Sequence, residues 1–198
     1  MSKVLILNGC SSAGKTSLVK AIQHLSEEPW LTFGIDSVID AMPGKLVGSG
    51  KEAAEGFHFV SDFEKGFPIT KIKIGSIGEK VSNLAPKIVK LLADNGFNIA
   101  VDEVIWEEKD LKKYALALNK HQVYYVKVDC ELSVNEEREI LRGDRRLGMA
   151  RAQSAEMANL NWDYDFQVDT SQTNSFVNAK KILKFLKENE PCSFAKNS

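Results

Sequence analysis

Apolar residues along this chain fall into short runs and helical stripes that alternate from start to end. Val4-Leu5-Ile6-Leu7 is an unbroken apolar run, too short for a helix and suited to a strand buried on both faces. Leu18, Val19, Ile22 and Leu25 then recur at helical spacing. Trp30 to Ile35 predicts a second strand that ends at Asp36. Gly44, Gly48, Gly50, Gly56, Gly66 and Gly75 punctuate the next stretch. Within it Phe57 and Phe59 flank His58, and Ile72 and Ile74 alternate with Lys71 and Lys73, which predicts a short hairpin or irregular flap over 44–75. Ile77, Val81, Leu84, Ile88 and Leu91 step by four and three, the signature of one amphipathic helix stopped by Asn95-Gly96. Ile99 to Ile105 predicts a third core strand carrying Asp102-Glu103, residues 108–118 a helix, and Val123 to Val128 a further strand. A highly charged helix from Glu131 leads into Arg142-Gly143-Asp144-Arg145-Arg146. Phe166 to Val168 predicts a last strand, and Phe176, Val177, Ile182, Leu183 and Leu186 a last helix. Residues 189–198 are expected to form a loose tail. Strands alternating with helices imply one α/β domain over 1–198, with a central parallel five-stranded sheet covered by helices on both faces.

Charge narrows the partners. The 26 basic and 27 acidic residues leave a net charge of −1, so the molecule as a whole offers no electrostatic reason to bind nucleic acid or an anionic membrane. No stretch approaches the ~20 apolar residues that span a bilayer. The apolar start is only a strand long and is not expected to be a signal peptide. Cys10, Cys130 and Cys192 make no disulfide framework, which together predicts a cytoplasmic protein. His24, His58 and His121 are scattered, and no Cys/His grouping has metal-ligand spacing. His24 is expected to be structural, and His58 is a minor candidate for touching a substrate. Trp30, Trp106 and Trp162 are expected to fill the edge of the core.

The most informative chemistry lies between the first strand and the first helix. Gly9-Cys10-Ser11-Ser12-Ala13-Gly14-Lys15-Thr16 is a complete phosphate-binding loop of the form G-x-x-x-x-G-K-[ST], in the strand–loop–helix setting that the motif requires. Glycines let the backbone wrap a phosphate, and loop amides and the positive end of the helix attract it. Lys15 is placed to reach the β- and γ-phosphates of ATP, and the Thr16 hydroxyl to hold Mg²⁺. This predicts the three-layer fold of the phosphate-loop (P-loop) NTPases. A GTPase would need N-K-x-D, and the near match Asn119-Lys120-His121-Gln122 ends in the wrong residue. There is no D-x-x-G, and the chain is short for an AAA or motor ATPase. A small-molecule kinase remains the natural fit.

Three further features bear on that reading. Asp36 stands at the carboxyl end of the second strand, where open α/β sheets bind ligands. There it either orients an attacking hydroxyl toward the γ-phosphate or caps the turn Ser37-Val38-Ile39. Arg138, Arg142, Arg145, Arg146 and Arg151 form either a lid that clamps the transferring group, hinged at Gly143 and Gly148, or a solvated helix face. In the second case Glu136, Glu137, Glu139 and Asp144 would pair with the arginines. Asp102 ends an apolar strand as a Mg²⁺-binding carboxylate does, with Glu103 beside it as the alternative.

Segments spread in order along the chain resemble one known family. They are Leu7-Asn8-Gly9 with 11–16, then 31–43 (Leu-Thr-Phe-Gly-Ile-Asp-Ser-Val-Ile-Asp-Ala-Met-Pro), then Arg138-Glu139, Arg142-Gly143-Asp144-Arg145, Gly148-Met149-Ala150 and Val168-Asp169-Thr170. All resemble the chloramphenicol phosphotransferases. The resemblance implies an ATP-dependent kinase, related to adenylate and shikimate kinases, that phosphorylates a primary hydroxyl of the antibiotic and inactivates it. It implies that Asp36 is the catalytic base, that Gly14, Lys15 and Thr16 bind the phosphates and Mg²⁺, and that Arg142 and Arg145 belong to a lid over about 138–152. Arg138 and the loop around Thr170–Gln172 fall by position on the adenine side. The chain departs from the family pattern at Cys10, where a glycine is expected, and at the bulkier, more basic Arg146-Leu147. The flap over 44–75 matches only loosely. The expected partner is a small hydroxylated molecule: chloramphenicol, or a nucleoside or shikimate-like alcohol. A nucleotide-binding regulator without transfer chemistry is the rival from another class. Oligomeric state is left open.

Overall fold

The computed structural model describes residues 1–144 and 146–196. In chain order the elements are β1 (Lys3–Asn8), α1 (Lys15–Leu25), β2 (Trp30–Gly34), α2 (Ile35–Ile39), β3 (Val47–Gly48), β4 (Phe57–Glu64) and β5 (Phe67–Ile74). There follow α3 (Ser76–Ser82), α4 (Ala85–Asp94), β6 (Asn98–Glu103), α5 (Glu108–Ala117), β7 (Gln122–Asp129) and α6 (Leu132–Arg142). The last elements are α7 (Met149–Met157), β8 (Phe166–Asp169), α8 (Ser175–Glu188) and α9 (Ser193–Lys196). Short 3-10 turns over Gly44–Leu46 and Lys51–Glu55 flank β3.

Five strands form one sheet in the order β2-β6-β1-β7-β8, and every neighbouring pair is parallel. Alternation along β1 builds a core on each face. Leu5 and Leu7 pack with Leu18, Val19 and Ile22 of α1 and Ala179 and Ile182 of α8. Val4 and Ile6 pack with Val89 of α4, Leu111 and Tyr114 of α5, and Trp162 and Phe194. A strand buried on both faces needs a continuous apolar run, which is why β1 shows no polar alternation. Each fully buried side chain of this kind contributes about 1.5–3 kcal/mol.

The segment 44–75 forms a separate three-stranded sheet, β3-β4-β5. Its main body is the antiparallel pair β4–β5, registered Phe57 with Ile74, Phe59 with Ile72, and Ser61 with Thr70. Lys65 and Gly66, both with positive φ, make the turn.

Two expectations are corrected. The stripe Ile77, Val81, Leu84, Ile88, Leu91 does not form one helix. The chain breaks between α3 and α4, and Pro86 sits in the first turn of α4. Ile77, Leu84 and Leu91 are 37%, 43% and 61% exposed, while Ala85, Pro86, Val89 and Ala93 face inward. Proline fits the first turn of a helix and not its middle, so it restarts the phase of the stripe. Over its described residues, 189–196, the tail is also not loose; 197 and 198 lie outside the described residues. α9 places Phe194 against the rings of Tyr125 and Trp162, and Trp162 Nε1 donates to Ser193 Oγ at 3.0 Å.

Candidate active site

The loop 9–16 leaves the carboxyl end of β1 and runs into α1. Gly14 stands at the N-cap, and no acidic residue occupies the first turn of α1, so the positive end of the helix stays open to an anion. Ala13 N–H donates to Cys10 O at 3.2 Å, which folds the loop on itself. Lys15 Nζ donates to Gly9 O at 2.8 Å and Cys10 O at 3.1 Å. The buried Ser12 Oγ has no hydrogen-bond partner among the described residues, an orphan that a phosphate oxygen would satisfy.

β6 sits next to β1, and the register sets Leu7 beside Asp102 and Asn8 beside Glu103. Thr16 Oγ1 donates to Asp102 Oδ2 at 2.7 Å, and Lys15 Nζ lies 3.6 Å from Asp102 Oδ1. Asp102, and not Glu103, is therefore the carboxylate beside the loop. Glu103 is buried and accepts from the Tyr114 hydroxyl at 2.6 Å. Burial pushes its carboxyl up to about 8, aided by the negative Asp102 and Asp36 and opposed by the Tyr114 bond. On the other side of β6, Gly34 pairs with Asp102. A Cβ at Gly34 would lie 2.1 Å from Asp102 O, so only glycine lets the end of β2 approach this closely. Sequence reasoning missed Gly34, although an isolated glycine inside a strand pattern is a signal of close backbone approach.

Loop and carboxylates open into one cleft of about 1,120 Å³. Lys15, Thr16, Asp102, Asp36 and Asp40 all line it. Asp36 sits inside the first turn of α2; the cap position is Gly34, and no side chain caps the helix. The capping alternative for Asp36 is thus not what the chain does. Apolar lining comes from Phe57, Phe59, Ile72 and Ile74 of the hairpin and from Trp106. Trp30 and Trp162 are buried as expected, but Trp106 belongs to the cleft wall and not to the core edge. His58 lies on the opposite face of β4 from Phe57 and Phe59, away from the cleft lining. His24 is exposed and meets the Phe176 ring edge-on. Asn8 fixes the wall behind Trp106. Its side chain donates to Ile105 O at 2.9 Å and accepts from Ile105 N at 2.7 Å.

The arginines divide. Arg138 donates to Thr170 O at 2.7 Å and Thr170 Oγ1 at 3.3 Å, and Thr170 Oγ1 donates to Ala13 O at 2.8 Å. Both residues thus border the phosphate loop. Arg142 reaches the cleft rim and pairs with Asp144, with Nε 3.1 Å from Oδ1. Arg145 lies outside the described residues. Arg146 and Arg151 turn to the hairpin, over the rings of Phe59 and Phe67. Of the interleaved acids, Glu136 pairs with Arg151 at 2.6 Å. Glu139 pairs with no arginine among the described contacts: buried, it accepts from Gly148 N at 3.0 Å and Ala150 N at 2.6 Å. Gln153 was also missed; its Oε1 accepts from Ser11 N at 2.6 Å. Cys10 is buried, and burial pushes its thiol pKa up, so the loop carries no exposed reactive sulfur at that position.

Comparisons with known proteins agree with this geometry. Over residues 2–187 the chain matches the family of chloramphenicol phosphotransferase-like proteins. It is 33% identical over 172 residues to the "Putative O-phosphotransferase" of two strains of Mycobacterium tuberculosis, covering 86% of this chain and 76% of that protein. Its fold is similar to a sugar kinase from Janibacter sp., with TM-score 0.63, 13% identity, and 94% and 95% of the two chains covered. It is similar also to the Mycobacterium tuberculosis APS kinase solved with AMPPNP and APS, with TM-score 0.62, 12% identity, and 94% and 98% covered. The phosphate loop, the parallel sheet that carries it and the match across most of the sequence together show that the chain belongs to the chloramphenicol phosphotransferase-like family.

Proposed function

We propose that this phosphotransferase-family chain moves the γ-phosphoryl group of ATP to a hydroxyl of a small molecule, with chloramphenicol or a relative as the candidate acceptor. One observation carries the reading: a single cleft is lined by the phosphate loop, by Asp36 and by the apolar face of the hairpin. The family is named for chloramphenicol phosphotransferase, and the APS kinase neighbour was solved with an ATP analogue, AMPPNP.

In this mechanism the amides of loop 9–16 and Lys15 bind the β- and γ-phosphates, and Arg138 and Thr170 border the adenine side. Thr16 and Asp102 offer hard oxygen donors to Mg²⁺. When bound, Mg²⁺ would neutralise charge on the phosphates. Asp36 orients the acceptor hydroxyl and accepts its proton. Arg142 and Arg145 belong to a lid over 138–152 that closes on the transferring group and excludes water.

The wall favours an uncharged acceptor with a ring. Phe57, Phe59 and Trp106 supply aromatic faces. Lys109 and Lys113, which also line the cleft, are paired with Glu107 and Asp110. The test is to incubate the purified chain with γ-labelled ATP, Mg²⁺ and chloramphenicol, and to express it in a sensitive host. Transfer of label and raised tolerance are expected, both lost in Lys15→Ala. ATP binding without transfer to chloramphenicol or to any of a panel of hydroxylated molecules would overturn the reading.

A further inference from the structure

The hairpin that walls the acceptor side is hydrogen-bonded to the arginine segment through Thr70. Thr70, in the middle of β5, is 1% exposed. Its hydroxyl donates to Leu147 O at 2.8 Å, and its backbone N–H to Gly148 O at 3.1 Å. The same hydroxyl meets Ser61 Oγ of β4 at 2.9 Å, so both strands of the hairpin share the attachment. Gly148 has φ of +84°, and a Cβ there would lie 2.3 Å from Pro68 O. The hairpin backbone is thus seated directly on the pivot at which α7 begins.

That pivot is also tied to the phosphate loop. Glu139 of α6 accepts from the N–H groups of Gly148 and Ala150. Gln153, one turn into α7, accepts from Ser11 N–H. The Ser11–Gln153 bond and the first turn of α7, in which Ala152 N donates to Gly148 O at 3.1 Å, thus link the loop to the pivot, and Thr70 links the pivot to the hairpin.

We propose that Thr70 is a positioning residue that couples the two halves of the cleft: when nucleotide settles the loop and the lid, the hairpin is drawn into its acceptor-binding position. The proposal rests on the kinase reading, since it takes the nucleotide to bind at the loop. It predicts that nucleotide alone orders a hairpin that the phosphates do not touch. A hydrophobic contact would hold the two parts together without transmitting a register, whereas two directed bonds to consecutive carbonyls fix one.

The experiment is hydrogen–deuterium exchange of the full chain with and without AMPPNP and Mg²⁺, on wild type, Thr70→Val and Thr70→Ser. Calorimetry measures AMPPNP binding, and thermal melting confirms that each variant is folded. In wild type, AMPPNP should slow exchange in peptides from 9–16, 138–152 and 57–74. In Thr70→Val the first two should stay protected, and protection of 57–74 should fall severalfold toward the nucleotide-free rate. Thr70→Ser keeps the hydroxyl and should restore it. Two results would overturn the coupling: a wild-type hairpin indifferent to AMPPNP while 138–152 is protected, or full hairpin protection in Thr70→Val. Absence of AMPPNP binding to wild type would overturn the kinase reading itself, and calorimetry separates that outcome from the other two.

Discussion

At the scale of single residues, the site depends on where a few carboxylates are held. Asp102 is turned to Thr16 and Lys15, and Glu103, its neighbour in β6, to Tyr114. Adjacent residues of a strand face opposite sides of the sheet, so two consecutive acids cannot serve one spot. Asp36 enters from a different strand end and lines the same cleft. As the proposed base it should be needed for transfer and not for donor binding. Asp36→Asn is expected to keep the AMPPNP affinity of wild type and to lose transfer by roughly 10²–10⁴-fold. Calorimetry and a label-transfer assay measure the two quantities separately. A parallel fall in both would place Asp36 among the residues that bind nucleotide.

At the scale of elements, the sequence was most legible where one physical requirement set the pattern. β1, the loop 9–16 and α1 stand where the apolar run, the glycines and the helical stripe predict them. The hairpin was legible from its alternation, because Phe57, Phe59, Ile72 and Ile74 share one face. The helix after it was not. Apolar spacing continues across the break, and only Pro86 records that a new helix starts. Glu139 was illegible for another reason. In a charged helix an acid is expected to meet a basic side chain, yet this one meets backbone amides that lie nine and eleven residues further on. Spacing along a helix carries no record of bonds made to a following loop. The end of α4 allows a separate check. Asp94 bonds to Lys90 and to His121 Nε2, and these bonds hold its carboxyl below the ordinary 3.8. A lowered folded-state pKa means that the folded state binds the proton less readily than the unfolded state does. Its stabilisation is present above the ordinary value and is lost as pH falls through the folded one. Asp94→Asn should therefore melt below wild type at pH 7, and the gap should close as pH falls below about 4. A gap that widens on acidification would contradict the assignment.

At the scale of the whole molecule, the end of the chain supports the cleft from behind. Asp165 holds both parts of this support: its carboxylate accepts from Cys192 N at 2.7 Å and Ser193 N at 2.8 Å, and also from Tyr125 N at 2.8 Å. Phe194 then packs edge-on against the Tyr125 ring, which stacks on Tyr164 at 4.3 Å between centroids. The Tyr125 hydroxyl meets the Asn8 side chain at 2.6 Å, and Asn8 holds both backbone groups of Ile105, next to Trp106 in the cleft wall. Phe194→Ala removes a mostly buried ring from this stack. Large-to-small changes of this kind cost about 3–5 kcal/mol when the site is fully buried, and less where the cavity can collapse at the surface. The melting temperature should fall accordingly. The loss should also reach the wall through Tyr125 and Asn8, while the phosphate loop stays fixed by its own bonds to Lys15 and Gln153. Steady-state kinetics should then show KM for the acceptor rising severalfold, with KM for ATP nearly unchanged. Equal changes in both would mean that the C-terminal helix stabilises the sheet as a whole and does not support the acceptor wall in particular.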